Sequence, residues 1–253
     1  MKPYGCIVLM IVAGSITQFG CKKSAISTDE PVNPMSRPVH EDMAGMVYLT
    51  TENNPNPWGG WSSDSVQVTI DGTSDSTMTN SGGYWKILDV PEGTYNLTFS
   101  KTGYGTTKLL HVRFRAGSQG LGEVVWLGQL PTFDISTVYT QTTDTTLTVR
   151  GGIIKAPGYR RNMYIYLGKT SNVSSSPSDY QLLYTAQTDM NRIYSVTIPL
   201  SDLRSGGFAS GDTVFIAVYE IGGYSTMYAD SATRRTIYPS LSTKSFNSFV
   251  VLP

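Results

Sequence analysis

Residues 65–104 read SVQVTIDGTSDSTMTNSGGYWKILDVPEGTYNLTFSKTGY, and their pattern decides the fold. Val66, Val68 and Ile70 alternate with polar neighbours, the period-2 signature of a half-buried strand. Asp71-Gly72 ends that run, because glycine supplies the positive φ of a tight turn. Asn80-Ser81-Gly82-Gly83 is a second turn, ahead of a strand at Tyr84-Trp85-Lys86-Ile87. Pro91-Glu92-Gly93 is a third, and it launches Tyr95, Leu97 and Phe99 on one face. Short strands parted by Gly, Pro and Asp turns predict an antiparallel β-sandwich, in which each strand buries one face.

Several ordered pieces of this stretch resemble the carboxypeptidase regulatory-like module, a transthyretin-like β-sandwich. They are the strand before Asp71-Gly72-Thr73, the turn from Thr79-Asn80 to Gly83-Tyr84, Val90-Pro91 with Gly93-Thr94-Tyr95, and Lys101 with Gly103-Tyr104. The resemblance covers residues 44–130, with Gly45 to Leu49 as the opening strand, and it departs from the family in the long insert Glu52–Ser63. It implies a scaffold module without catalysis.

The front of the chain implies an address. Lys2 is followed by an apolar run from Cys6 to Ile16, too short to stay in a bilayer as a span. Gln18-Phe19-Gly20-Cys21 then resembles a bacterial lipoprotein signal, with Gln18 where an aliphatic residue is usual. The resemblance implies a signal peptide over 1–20 and acyl chains on Cys21, the first mature residue. Each buried methylene contributes about 0.8 kcal/mol, so two or more chains (palmitate-like in length) hold a protein on a membrane. The competing reading is a secreted protein in which Cys21 is incidental. The expected location is the outer membrane, with its outer and periplasmic faces both open. Residues 21–43, with Pro31, Pro34 and Pro38, read as a flexible tether. Cys6 and Cys21 are the only cysteines, so no disulfide or thiolate metal site is available to the mature fold.

The chain has 253 residues, of which 15% are charged, with 19 basic against 19 acidic side chains. That balance gives no field to attract nucleic acid. Sixteen tyrosines with abundant Thr, Ser and Gly favour strands, and no helical periodicity stands out. The expected fold class is therefore all-β: two consecutive sandwiches over 44–130 and 131–253, after signal and tether.

Within the first domain, Trp58 and Trp61 lie in the Asn/Pro/Gly-rich insert. An exposed indole stacks on sugar rings or anchors protein interfaces, and a folded-back one caps the sandwich; these two residues are the candidate ligand-binding pair. Trp85 and Trp126 sit in strand patterns and read as core. Asp64, Asp71 and Asp75 are carboxylates on loops, but their spacing fits no calcium loop and suggests turn bonds. Val112 and Phe114 point inward, which turns His111, Arg113 and Arg115 to solvent.

After Pro131 the pattern restarts. Strands read at Thr146–Val149 (ended by Gly151-Gly152), Met163–Leu167, Tyr194–Ile198, Thr213–Tyr219 and Ser245–Leu252. Six or seven strands in this span resemble an immunoglobulin or fibronectin type III sandwich, with Thr213–Tyr219 and the last strand as its closing pair. Ser201–Gly206 reads as one helical turn capped by Ser201. The stretch Tyr224–Tyr238 is long for a sandwich loop, and such loops are binding sites or decorated hairpins.

Catalytic signatures are missing. Only His40 and His111 are present, and no GxSxG elbow, HExxH or phosphate-cradling glycine loop occurs. The expectation is a non-enzyme with no metal and no cofactor. Its function is binding or scaffolding at the membrane, with polysaccharide or an outer-membrane transport protein as partner. The alternative is a subunit of a surface appendage or adhesin, assembled by strand addition.

Overall fold

The computed structural model describes residues 39–53, 62–115, 117–118, 120–155 and 160–253. Cys21, Trp58 and Trp61 fall outside them. All the described residues belong to one compact unit, and they are all-β apart from a single short helix.

The first sandwich comprises β1 (His40–Thr50), β2 (Gln67–Ile70), β3 (Ser76–Met78), β4 (Tyr84–Pro91), β5 (Gly93–Ser100), β6 (Thr107–Phe114) and β7 (Val124–Gly128). A three-stranded sheet, β4-β1-β7, faces a four-stranded one, β3-β2-β5-β6. The period-2 residues meet between them: Val47, Val68, Ile70, Trp85, Leu97 and Phe99 form one core, with the Trp85 ring edge-on to Phe99 at 5.9 Å. Each such side chain contributes about 1.5–3 kcal/mol on burial. The turn before β4 needs its glycine. Gly83 has φ +80°, and a Cβ there would sit 2.0 Å from the Val47 carbonyl oxygen.

Three expectations change here. β1 begins at His40, so His40 to Met43 are strand and not tether. Met43 is fully buried and pairs with Ile87, and Asp42 accepts a hydrogen bond from Lys86 Nζ at 3.0 Å. β1 pairs antiparallel with β4 but parallel with β7, a polarity that strand patterning does not reveal. Trp126 is not core. It lies half-buried on the outer face of β7, between Tyr48 at 5.4 Å and Tyr224 at 6.0 Å.

The second sandwich comprises β8 (Asp134–Thr142), β9 (Thr146–Ile154), β10 (Asn162–Gly168), β11 (Leu182–Gln187), β12 (Ile193–Pro199), α1 (Leu200–Ser205), β13 (Thr213–Glu220) and β16 (Phe246–Val251). The hairpin β14 (Tyr228–Ala229) and β15 (Thr236–Ile237) intervenes before β16. The sheets are β12-β9-β8 and β11-β10-β13-β16, antiparallel throughout, with β13 and β16 as the expected closing pair. Leu147, Ile165, Tyr194, Ile216 and Val218 centre the core between them. Gly151-Gly152 does not end β9. A Cβ on Gly151 would meet the Thr137 carbonyl oxygen at 2.1 Å and Tyr194 Oη at 2.2 Å, so the glycine admits a close neighbour. The helical turn is present, but Pro199 occupies its N-cap and no side chain caps it.

A second apolar layer covers the outer face of β10 and β13. Tyr166, Tyr180, Tyr219 and Leu241 are buried there, with Tyr164 and Tyr238 against them. Part of this cover is the segment 222–242, which includes the hairpin. Arg235 fastens the cover, donating from Nη1 to the carbonyls of Pro177 (2.9 Å) and Tyr180, its guanidinium 4.3 Å from the Tyr180 ring centre.

The same segment crosses to the first sandwich. Trp126 N–H donates to Thr226 Oγ1 at 2.9 Å, and Thr50 Oγ1 donates to the Tyr224 carbonyl. At the exit of the first sandwich Gln129 N–H donates to Thr50 O (2.9 Å) and Leu130 N–H to Gly103 O (2.9 Å), and Gly223 N–H crosses from the second to Gln129 O (2.8 Å). Glycine makes these approaches possible. A Cβ on Gly105 would lie 2.1 Å from Pro239 O, one on Gly128 2.2 Å from Gly223 O, and one on Gly222 2.0 Å from Gln129 O.

Candidate functional site

Where the sandwiches meet, three chain segments leave a cleft of about 610 Å³. The segment after β1 gives Thr51, Glu52 and Asn53. The entry to β10 gives Arg160, Arg161, Asn162 and Tyr164, and the exit of β13 gives Ile221 to Ser225 with Met227. Ligand sites favour such junctions, because loops from two rigid bodies converge there.

Arg161 is the most constrained of these residues, at 5% exposure. Its backbone is clamped to Thr188, whose Oγ1 accepts Arg161 N–H (2.9 Å) and whose N–H donates to Arg161 O (2.8 Å). Its Nη1 donates to the Glu52 carbonyl, its Nη2 to Asn53 Oδ1 at 3.3 Å, and the guanidinium lies 5.5 Å from the Phe133 ring centre. Nε has no partner. Burial pulls the Arg161 pKa down, and the nearby Glu52 charge opposes that shift. The Glu52 carboxylate, itself 6% exposed, is taken by Thr132, from whose N–H (3.3 Å) and Oγ1–H it accepts. Among the described residues neither Arg160 nor Arg161 forms an ion pair.

Aromatic surface flanks this charge. Tyr224 is 54% exposed at the mouth, its ring edge-on to Trp126. Tyr164 is half-buried against Tyr238, ring centres 4.6 Å apart, and burial raises its pKa. The cleft therefore joins ring faces to polar donors: the held guanidinium of Arg161, the exposed one of Arg160, and the Asn53 and Asn162 amides.

Residues 63–123 match the carboxypeptidase regulatory-like domain. No curated protein matches the chain. Among solved structures, a DUF3823 family protein from Parabacteroides merdae is similar over 86% of this chain and 100% of its own, at 13% identity and TM-score 0.31. A Bacteroides uniformis protein provisionally assigned as carbohydrate binding is similar over 83% of this chain and 98% of its own, at 12% identity and TM-score 0.32. One chain of a type II cohesin–X-dockerin complex from Acetivibrio cellulolyticus shares 25% identity over 35% of this chain, which spans 58% of its length, with TM-score 0.29.

The sequence-predicted site residues, Cys21, Trp58 and Trp61, lie outside the described residues. Asn53, inside the Glu52–Ser63 insert and the last described residue before its tryptophans, lines the cleft. Among the described residues no three His, Cys, Asp or Glu side chains come together as metal ligands. Asp71 serves a cross-strand network instead, accepting from Thr98 Oγ1 (2.5 Å) and Lys108 Nζ (2.9 Å). Asp64 accepts from its neighbours Ser62 Oγ (3.0 Å) and Ser65 Oγ (3.3 Å). His111 is exposed, as are Arg113 and Arg115. Sequence reasoning did not single out Arg160, Arg161 or Glu52. The available signal was partial: the long Tyr224–Tyr238 stretch, flagged as a place for binding, supplies Tyr224, Ser225 and Met227.

Proposed function

We propose that the chain is a non-catalytic binding module of the cell envelope, anchored by acyl chains on Cys21, that takes glycan into the cleft between its sandwiches. The observation carrying this is the pairing of exposed Tyr224 with guanidinium and amide donors at one junction. A sugar presents a patch of C–H groups to a ring face and hydroxyls to amides and guanidiniums. Trp58 and Trp61, which follow Asn53 in the insert, are further stacking side chains in this reading. The anchor reading rests on the Gly20-Cys21 junction and on the apolar run before it. A transport protein of the outer membrane fits as the partner that receives what the cleft holds.

The test is affinity gel electrophoresis of the mature protein through a polysaccharide panel, beside Tyr224→Ala and the double variant Trp58→Ala/Trp61→Ala. Retention by at least one polysaccharide is expected, weakened about tenfold by Tyr224→Ala, as losing one stacked ring costs on the order of 1.4 kcal/mol. Undiminished retention in both variants removes the site. Release of reducing sugar from a retained polysaccharide removes the non-catalytic reading. Acyl labelling that persists in Cys21→Ser removes the anchor.

A further inference from the structure

Resting on the glycan reading of the cleft, we infer that its ligand is a saccharide bearing carboxylate groups, held through Arg160 and Arg161. Three observations carry this. Arg161 is a buried cation whose guanidinium, among the described residues, donates to two neutral acceptors, the Glu52 carbonyl and the Asn53 amide, while its Nε has no hydrogen-bond partner there. Buried charges are ordinarily paired, because desolvation costs several kcal/mol per ion and a counter-charge offsets it. Arg160, next along the chain and exposed at the same cleft, has no hydrogen bond or ion pair among the described residues. The described lining thus sets two guanidiniums against the single carboxylate of Glu52.

Among the described residues their charge is balanced only in part. Glu52, the one acidic residue of the described lining, accepts from Thr132 while its charge opposes the burial of Arg161, which leaves Arg160 unmatched. Residues 54–61 (NPNPWGGW) and 156–159 (APGY), which adjoin the cleft in the chain, contain no Asp or Glu. The carboxylate that Arg160 lacks is therefore supplied from outside. A planar guanidinium matches a carboxylate through two parallel N–H bonds, and a uronic acid offers that group on a ring whose C–H face suits Tyr224. Because Arg160 is exposed, the pairing is screened by salt and weakens as ionic strength rises.

The test runs the mature protein in affinity gels containing polygalacturonate or alginate, against methyl-esterified pectin, xylan and dextran sulfate. Retention by polygalacturonate or alginate is expected, lost on methyl esterification of the same backbone and reduced by added salt. Arg160→Gln, at an exposed position and with an unchanged melting temperature, should weaken that retention about tenfold, the worth of one charge-assisted contact. Retention by xylan or methyl-esterified pectin, with none by the carboxylated polymers, overturns this inference and leaves the glycan reading standing. Retention by dextran sulfate alone shows the anion is not a carboxylate. Unchanged retention in Arg160→Gln overturns the assignment of the residue, and retention by none of the polymers overturns both readings together.

Discussion

The two four-stranded sheets use their outer faces differently. In the first sandwich the outer face of β3-β2-β5-β6 is largely polar and half-exposed, tied by the Asp71–Thr98–Lys108 network. In the second, β10 and β13 are buried on both faces, by the sandwich core inside and by the tyrosine-rich layer outside. Their sequences show it: MYIYL and VFIAVY are nearly continuous apolar runs, whereas VQVTI alternates. A strand with a covered outer face has no polar face to keep. The cover also carries the segment that reaches the first sandwich, so the extra layer is what makes a junction and a cleft.

The largest effect that can break this comparison is core truncation on each side. Trp85→Ala should destabilise by about 3–5 kcal/mol, and Tyr166→Ala by about 3 kcal/mol, because both leave cavities in close-packed surroundings. If denaturant unfolding shows Tyr166→Ala costing less than about 1 kcal/mol, the outer layer is decoration and the contrast fails. Next comes the junction. Gly128→Ala drives a methyl against the Gly223 carbonyl and should cost about 1–3 kcal/mol. In calorimetry it should also split one cooperative transition into two, since the sandwiches are then held less firmly. A single unsplit transition means the glycine contacts do not couple them.

The smallest effect is a pH signature within the second sandwich. Glu220 is 5% exposed, and burial raises its pKa even though Ile135 N–H donates to it at 2.8 Å. A carboxyl with a raised folded pKa is penalised once ionised. Its cost is absent below the unfolded value and grows as pH rises toward the folded one. Asp42, Asp212 and Asp230 act oppositely, since hydrogen bonds lower their pKa values and their stabilisation fades on acidification. Subtracting Glu220→Gln from wild type isolates the buried group. Melting temperatures should show wild type losing ground to the variant as pH rises from about 4 to 7. A flat difference shows that Glu220 is not desolvated.

Much of the fold was legible because its signals are local. Turn glycines such as Gly72 and Gly83 have the positive φ expected of them, and alternation correctly turned Val68, Leu97 and Phe99 inward. Less legible was anything set by a partner strand far along the chain. Gly151-Gly152 looked like a break because the close approach of Tyr194 is not encoded nearby. Trp126 looked like core because a large ring in a strand pattern usually is. Its neighbours Tyr48 and Tyr224 instead come from another strand and another sandwich. The cleft was least legible, since Glu52, Arg161 and Tyr224 are separated by some hundred and then sixty residues along the chain.

By itself, then, the sequence determined a chain of short alternating strands with cysteine-free cores, because alternation and turn chemistry act over a few residues. Only the tertiary structure decided that β1 and β7 run parallel, that 222–242 spans both sandwiches, and that two guanidiniums share one cleft. Those features depend on which distant segments meet. That is governed by shape and close backbone approach at glycine, and no local pattern carries it.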